Sequence, residues 1–593
     1  MAESVVRIIS KPGIKRDGTR FEGDNYVDGQ WVRFQRGLPR KIGGYRSINK
    51  YLRGKPHALH EYTQDGLTYI HAGSADRLES FYIDSSFDTS VIADRTPAAL
   101  TASANNVWQF DVETTAAATG LQLVAHVAPN GADISSSTQG QLFYGGLFGS
   151  TTLTQVTAFP TGASLSGGVV ALHPFTVVYG SDGYVMWSTD CTNFTLAGGT
   201  SVAGNAYVTG QKIVKGMPLR SGPGASPSGL LWSLDSLVRM TFVGGTPGFQ
   251  FDTISEETSI LSANSVIEYD GIFYWIGTDR FLQFNGVVRE VPNELNFNYF
   301  FDNMNEAQRQ KVFAYKVPRF GEIWWCFPFG DSTECNHAII YNTREGSWYD
   351  TALPEGGRGA GLSPAVFPRP LMSGVEPHDA LMYDVAVHNR GVGYTVGDVL
   401  TLAAGVALMP AQVTVTSVDG TGRVLSVSIS NAGEYPIPPT NPVPVTGGSG
   451  TSATFDATFN RPYKFWVHEI GVDAVDEQRV APIQSYFETA DISLPVMQQQ
   501  NNALHVALLE PDFVQVGDMT VEVHGRANAR APEVNSDPQT FPAQAATPQE
   551  QVVFLKTQRR ELRFRFESNC IGGDYQMGLI LAHIAPGDGT VLG

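Results

Sequence analysis

Cysteine is scarce in this sequence, with only four among its 593 residues. So few thiols cannot form the dense disulfide framework of small secreted domains, and we expect free, mostly buried thiols in a reducing compartment. The N-terminal residues, MAESVVRIISKPG, lack an apolar core, so no secretory signal peptide is expected. The uncharged stretch Val399–Val418 contains Gly, Pro and an alternating VTVTSV, which predicts strands and not a membrane helix.

Charged residues and long helical patterns are also few. Asp, Glu, Lys and Arg make up 17% of the chain, whereas it contains 62 glycines and 34 prolines. This composition favours short strands joined by turns, and the hydrophobic fraction of 42% is enough to form a core. The clearest helical periodicity, at Asn305–Lys316, predicts one short helix. A chain of this length is expected to hold two or three domains, or one large domain with additions.

A repeated pattern stands out against this background. Each copy opens with Gly, has an aromatic residue three positions later, and continues through a polar turn into a second apolar run. This pattern predicts a β-hairpin, and hairpins that recur at a spacing of about 40–50 residues are typical of propeller blades. A propeller is usually a scaffold, which favours a protein that holds other components. The copies are Gly66–Phe81, Gly229–Phe242 and Gly271–Phe284, with a looser one at Gly183–Leu196.

Specific catalytic signatures are absent from the sequence. It has no P-loop, no HExxH zinc motif and no GxSxG nucleophile elbow. His57 and His60 come nearest to a metal-binding pair, but side chains at this spacing on an extended segment point in opposite directions. The turn at Ser181–Trp187 is only faintly similar to the repeated turn of sialidase-type propellers. We therefore expect neither an enzyme nor a bound cofactor or metal.

Charge is distributed unevenly along the chain. The net charge is −18, yet residues 1–55 carry 13 Lys/Arg against 5 Asp/Glu, so a basic arm with a net charge of +8 precedes an acidic body. Such an arm can contact an acidic surface or nucleic acid, or it can simply be solvated. The acidic body argues against tight wrapping of DNA, because phosphate is repelled by it. An acidic surface facing DNA would instead suit sliding.

The predicted fold is all-β: a β-propeller with an inserted small β domain and an extended N-terminal arm. Residues 384–458 have Gly-bounded turns, alternating strands and almost no aromatic residues, which predicts a separate small β module. The strand ELRFRFE at Glu561–Glu567 places its apolar side chains on one face, as a half-buried antiparallel strand does. We therefore expect four parts: the arm 1–55, propeller blades in 56–383, the module 384–458, and the propeller completion with C-terminal strands in 459–593.

Several segments resemble the tail nozzle proteins of short-tailed bacteriophages, which are also called packaged-DNA stabilisation or tail-tube proteins. The first is DGQWVRFQRGLPRKIGGY, and the similar segments are spread along the chain outside 384–458. The module 384–458 resembles instead the small β modules that recur in phage structural proteins. The nozzle-like segments are Asp28–Tyr45, Phe175–Ser188, Tyr269–Gly286, Gln310–Phe329, Ala338–Thr351 and Leu508–Arg526.

The resemblance implies a structural protein of the virion tail, assembled in the host cytoplasm. Such nozzles are hexamers of β-propellers that cap the portal–adaptor channel, close it after packaging and open it for ejection of double-stranded DNA, without reading its sequence. Tail fibres or spikes are further candidate partners. Within the basic arm we assign contacts with the adaptor or portal ring to Arg33, Arg36, Arg40 and Lys41.

Two other functions remain open at this point. A receptor-binding tail protein would recognise host glycan, present an exposed aromatic groove and more often form a trimer. A propeller glycosidase would place converging carboxylates and arginines at the central opening of the propeller. The nozzle hypothesis predicts instead a ring that docks onto a partner ring.

Overall fold

Strands dominate the part of the chain that the computed structural model describes, with 57% strand and 3% helix. The chain forms two compact units, one of Met1–Ile48, Pro56–Ser373 and Trp466–Gly593 and one of Asn49–Lys55 and Gly374–Phe465. An all-β fold is therefore confirmed. The structure describes residues 4–19, 23–84, 86, 89–90, 92–114, 120–129, 134–149, 151–196, 203–220, 225–245, 248–365, 369–493, 503–527, 530–543 and 552–587.

Six four-stranded antiparallel sheets follow one another along the described part of the first unit. In each sheet the four strands pair in chain order, as a meander. The strands are, in sheet 1, Pro56–Gln64, Leu67–Ser74, Leu78–Ile83 and Ala93–Asp94; in sheet 2, Val107–Thr114, Leu121–Ala128, Gln141–Gly146 and Thr154–Gln155; in sheet 3, Gly168–Leu172, Phe175–Tyr179, Tyr184–Ser188 and Gly204–Tyr207; in sheet 4, Ile213–Pro218, Ser228–Ser233, Leu237–Gly244 and Gly248–Ser255; in sheet 5, Ile267–Tyr269, Ile272–Ile276, Phe281–Phe284 and Val288–Glu290; in sheet 6, Phe313–Val317, Glu322–Phe327, His337–Asn342 and Ser347–Ala352.

The three strict repeat copies are the second and third strands of sheets 1, 4 and 5, which confirms those hairpins. Two of them follow tight turns, Asp65–Gly66 and Asp270–Gly271, in which both residues have positive φ, as a type I′ turn requires. The looser copy is not a hairpin. Gly183 belongs to the turn before Tyr184–Ser188, and that strand pairs with the strands on either side of it in sheet 3.

The helix prediction was partly wrong. An α-helix occupies Phe297–Asn303, and a 3₁₀-helix occupies Glu306–Lys311. The residues that follow, Phe313–Val317, form the first strand of sheet 6. The apolar periodicity of that segment therefore ends in a strand whose alternate side chains are buried.

Successive sheets contact one another, in most cases through their first strands. The first strands of sheets 1 to 4 contact each other in sequence order, and that of sheet 5 contacts that of sheet 6. Sheets 4 and 5 share an apolar core, in which the ring centroids of Trp232 and Trp275 are 5.7 Å apart. Arg358–Leu362 then contacts both the first strand of sheet 6 and that of sheet 1. The succession of sheets therefore returns to its beginning.

Arg358–Leu362 belongs to sheet 7, which lies between sheet 6 and sheet 1 in the succession. Its strand order is Arg358–Leu362, Leu371–Pro377, Tyr463–His468, Tyr45–Leu52, Ala474–Asp476 and Arg479–Ala481. Tyr45 pairs in parallel with Ala474. A segment from near the start of the chain is thus placed inside a sheet of later segments.

The N-terminal arm is not an extended appendage, which corrects the prediction. Its residues pair with C-terminal strands: Asp28 lies opposite Glu488, and Arg40 lies opposite Gln576. Two sheets result, and their apolar faces share one core. The strand order of sheet 8 is Val553–Arg559, Leu504–Val516, Asp574–Pro586, Leu38–Lys41 and Val32–Gln35, and Ser4–Ile8 also pairs with Asp574–Pro586. The strand order of sheet 9 is Asp28–Gln30, Ser485–Glu488, Glu561–Ser568, Met519–Arg526 and Val534–Asn535, and Ile492–Ser493 pairs with Glu561–Ser568 and Gln539–Phe541 with Met519–Arg526. A separate two-stranded sheet pairs Lys11–Ile14 with Asn25–Tyr26.

The C-terminal part differs from the prediction for the same reason. Residues 466–481 contribute strands to sheet 7, but the strands from Ser485 onwards belong to sheets 8 and 9. Phe487, Phe566 and Tyr575 are buried there with Tyr26 and Phe34 of the arm. Only the beginning of 459–593 therefore extends the series of sheets, and the remainder builds a separate layer with the arm.

The second unit contains the predicted module 384–458 and has a core of its own. Tyr394, Tyr435 and Phe455 are buried in it among aliphatic residues. The first and last strands of its sheet order also contact each other. That order is Leu381–Val392, Thr451–Asn460, Val443–Thr446, Val399–Leu402, Gln412–Val418 and Val424–Asn431.

Candidate interaction surface

The two histidines considered for metal binding lie in different surroundings. His57 Nε2 is 3.0 Å from Glu334 Oε2. The His60 ring stacks on His71 with centroids 5.8 Å apart, and burial lowers the pKa of His60 to about 4. Among the described residues, no three His, Cys, Asp or Glu side chains converge as a metal site would require. The helices in the described ranges are too short or too polar to span a bilayer.

Arg33, the first of the four assigned contact residues, is only 1% exposed. Its guanidinium donates to Glu322 Oε2 at 3.0 Å and to Glu469 Oε2 at 2.8 Å. Burial alone would lower the pKa of Arg33, but attraction by the two carboxylates outweighs it and raises that pKa. The charge of Arg33 is therefore compensated inside the first unit.

Lys41 is also enclosed, with 3% of its surface exposed. Its ammonium donates to the carbonyl oxygen of Gly573 at 2.7 Å, and burial lowers its pKa. Both Arg33 and Lys41 therefore hold the arm against other parts of the same unit. The assignment of a partner contact to the four residues stays a prediction, and Arg36 and Arg40 are the two that reach the surface.

Arg36 and Arg40 lie at the surface, on the hairpin formed by Val32–Gln35 and Leu38–Lys41. Arg36 and Gly37 form its turn, with φ of 55° and 75°. The carboxylate of Glu345 accepts hydrogen bonds from both of their backbone N–H groups, which fixes this turn beside sheet 6. Arg40 is half-buried and donates to Gln35 Oε1 at 2.9 Å.

Phe320 is the centre of the surface that these residues form. It lies in the turn between the first two strands of sheet 6 and is half-buried. Three guanidinium carbons surround its ring centroid, Arg33 at 3.7 Å, Arg319 at 5.2 Å and Arg40 at 5.7 Å. A cation over an aromatic face is held by the ring quadrupole, so Phe320 keeps like charges close together.

Arg344 completes the group from the turn between the last two strands of sheet 6. It is exposed and donates to the carbonyl oxygens of Arg319 at 2.9 Å and Pro318 at 2.7 Å. Gly321 has φ of 74°, and a Cβ there would lie 2.7 Å from the Arg344 side chain. The glycine thus allows both the turn and the close approach. We call Arg36, Arg40, Arg319 and Arg344 the arginine face.

The arginines of the arginine face form no salt bridges. In the described part of the chain, no carboxylate lies within salt-bridge distance of any of the four guanidinium groups. The nearby Glu345 carboxylate accepts from backbone N–H groups, and Glu469 shares the charge of Arg33 with Glu322. The four guanidinium groups outnumber these acids, and on a chain with a net charge of −18 the local excess of positive charge suits this surface to an anionic partner.

A cavity of about 440 Å³ adjoins Phe320. Its apolar wall comes from one valine, one alanine and three prolines of sheets 6 and 7 and their turns. Lys316 donates to the carbonyl oxygen of Glu268 at 2.9 Å, and Arg369 donates to that of Glu469. The polar lining residues are Lys316, Arg319, Ser363, Arg369 and Glu469.

Charge counting along the sequence identified Arg36 and Arg40 but not Arg319 and Arg344, nor the Phe320 between them. These three residues lie after residue 55, where the net charge is negative, so a charge count does not single them out. The turn Pro318–Gly321 (PRFG) was the available signal, since Pro and Gly mark a turn and turns lie at the surface. No family model matches this chain, and no match was found among curated proteins.

Proposed function

We propose that this chain is the tail nozzle subunit of a short-tailed bacteriophage, a structural protein of the virion tail. In this proposal six copies form a ring that extends the portal–adaptor channel. The ring retains the packaged genome and opens as a conduit when double-stranded DNA is ejected. The segments similar to nozzle proteins occur in sheets 3, 5, 6, 8 and 9, so the similarity extends over both layers of the first unit.

The observation that carries the proposal is the closed succession of sheets. Contacts between successive sheets, and between Arg358–Leu362 and Pro56–Gln64, favour a propeller of seven blades. Sheet 7 would be the closing blade, because Tyr45–Leu52 brings an early segment beside Tyr463–His468. Strands of sheets 1, 4, 6 and 7 also line one cavity of about 140 Å³, as expected for inner strands around an axis.

The N- and C-terminal strands give this scaffold a second layer. Sheets 8 and 9 bury a large core against sheet 6, with Trp324 and Tyr349 among its members. The hairpin that carries Arg36 and Arg40 contacts Phe320 and Glu345, in the turns of sheet 6 that also carry Arg319 and Arg344. A surface built from two firmly joined layers suits a rigid attachment to a neighbouring ring, and we assign the arginine face to that attachment.

The negative charge of the chain also favours a channel through which DNA passes rather than a site that binds DNA. Outside residues 1–55 the chain has 53 acidic and 27 basic residues. Proteins that hold DNA tightly neutralise many phosphates with Lys and Arg, and this body does not supply them. An acidic surround keeps a duplex from adhering, so the genome can slide past.

Assembly onto tail-less capsids tests the proposed attachment. A variant that reverses the arginine face to Glu at all four positions should fail to attach, whereas the wild-type chain should attach and retain DNA. The matched control reverses four exposed arginines that form no salt bridge with a described residue, Arg289, Arg390, Arg423 and Arg479. Attachment of the first variant at the wild-type level would refute the assignment of the arginine face.

A further inference from the structure

We propose that the cavity beside Phe320 binds an acidic peptide segment of a partner protein. One carboxylate side chain of that segment enters the cavity, and neighbouring carboxylates pair with the arginine face. The inference rests on the proposed function in one respect, namely that this side of the chain attaches it to a partner. It adds the chemistry of the partner and the place where the partner is held.

The dimensions of the cavity fit a few side chains of a peptide. Its volume of about 440 Å³ lies within the range of about 300–1,000 Å³ that is usual for ligand sites in proteins. Pro318, Pro364 and Pro370 supply much of its apolar wall. Proline rings have few conformations to lose, so this wall is largely formed before a ligand arrives.

The cations around the cavity are placed to receive a carboxylate. Lys316 and Arg369 donate to backbone carbonyl oxygens, and Arg319 is exposed at the rim. None of the three forms a salt bridge with a carboxylate of the described residues. Glu469 is the acid of the cavity, and it shares the charge of Arg33 with Glu322. A carboxylate that enters would thus gain charge-assisted hydrogen bonds without displacing an existing ion pair.

Nucleic acid fits this site less well than an acidic peptide does. Binding of a duplex depends on many phosphate contacts along the backbone, and the surrounding chain is strongly acidic. Glu345 and Glu469 also lie within or beside the basic group, where they would repel a continuous row of phosphates. A peptide can place single carboxylates between these acids and press its apolar side chains against the prolines.

Fluorescence anisotropy with the purified full-length chain tests the proposal. The probe is a fluorescein-labelled peptide in which Glu alternates with Leu and Tyr, and the reference probe has Gln in place of every Glu. We expect binding of the Glu peptide only, and we expect Arg319→Glu to weaken it at least about tenfold. Arg289→Glu, which reverses an exposed arginine of sheet 5, should leave the affinity unchanged.

A second variant tests the contribution of the cavity to peptide binding independently of charge. Ala365 lines the cavity and is exposed, so Ala365→Trp should fill the space and weaken peptide binding without altering any charge. The proposal is overturned if the Glu peptide fails to bind, if Arg319→Glu and Ala365→Trp both bind it like wild type, or if a short DNA duplex binds more tightly than the peptide.

The two proposals can fail separately. If the chain binds the Glu peptide but is not found in a tail ring, the peptide site is supported and the nozzle function is refuted. If the chain forms a tail ring but does not bind the Glu peptide, the nozzle function is supported and the peptide site is refuted.

Discussion

Arg33 shows how a charged residue becomes part of a core. Its guanidinium lies against the Phe320 ring and between the carboxylates of Glu322 and Glu469. Trp324 Nε1 and the Tyr349 hydroxyl donate to the same Glu322 at 2.8 and 2.7 Å. Since a lone buried charge is far more costly than a paired one, removal of Arg33 would leave both carboxylates without their counter-charge.

Arg33→Gln should therefore be strongly destabilising. The amide removes the one positive charge between Glu322 and Glu469, so we expect a loss of about 3–5 kcal/mol in the free energy of unfolding. Urea unfolding at neutral pH measures it. Arg289→Gln, at an exposed site in sheet 5, should change the same free energy by less than about 0.5 kcal/mol. Equal stability of the two variants would show that Arg33 does not compensate these carboxylates.

A second buried acid fixes the N-terminal segment and predicts a pH dependence. Arg16 donates to both Asp350 oxygens at 3.0 and 3.1 Å, and His337 Nε2 lies 3.1 Å from Oδ2. Burial alone would raise the pKa of Asp350, but Arg16 and His337 overcome this and lower it to about 2. Because the folded pKa lies below the unfolded one, this stabilisation is complete above about pH 4 and is lost as the pH falls towards 2.

Asp350→Asn should remove that contribution. At pH 7 we expect the variant to be less stable by about 2 kcal/mol, the equivalent of the pKa shift. The difference in unfolding free energy between wild type and variant should shrink as the pH is lowered from about 4 to 2.5. Unfolding by urea at a series of pH values provides the measurement. A difference that stays constant over this range would show that the charge of Asp350 has no such role.

At the scale of strands and turns, local pattern predicted what is locally determined. The hairpins of sheets 1, 4 and 5 were found because turn glycines and alternating apolar residues lie within one short segment. The copy at Gly183–Leu196 failed because its strand pairs outside the segment, with Phe175–Tyr179 and Gly204–Tyr207. The prediction of an extended arm was wrong because the strands that pair with the arm are distant in sequence, as Glu488 is from Asp28, and leave no local signal.

The contact between Arg358–Leu362 and Pro56–Gln64, which closes the succession of sheets, can be tested by a Gly→Ala substitution. Gly359 lies in Arg358–Leu362, and a Cβ there would be 2.3 Å from the carbonyl oxygen of Pro56, in the first strand of sheet 1. Gly359→Ala should force the two strands apart and destabilise the chain by about 1–3 kcal/mol. Thermal or urea unfolding measures this change.

Gly210→Ala is the matched control, because no heavy atom lies within 4 Å of a Cβ at that position. It should stay within about 0.5 kcal/mol of wild type. If Gly359→Ala were equally harmless, Arg358–Leu362 and Pro56–Gln64 would not be pressed together, and the proposed closure of the propeller would lose its main support.

At the scale of the whole molecule, an acidic chain presents one compact basic face. Sequence reasoning placed the basic residues in an extended arm, but the arm supplies only Arg36 and Arg40 to that face. Arg319 and Arg344 join them because Phe320 and the Glu345 carboxylate hold the hairpin of the arm beside sheet 6. Such a surface arises from contacts between distant segments, so composition alone could indicate its charge but not its place.

Electron microscopy of virions, with this chain located in the map, would show whether the chain forms a tail ring. We expect a six-fold ring of this chain next to the portal and adaptor rings, with the arginine face turned towards the neighbouring ring. A trimer of this chain on a peripheral spike would contradict the nozzle function and favour a receptor-binding protein.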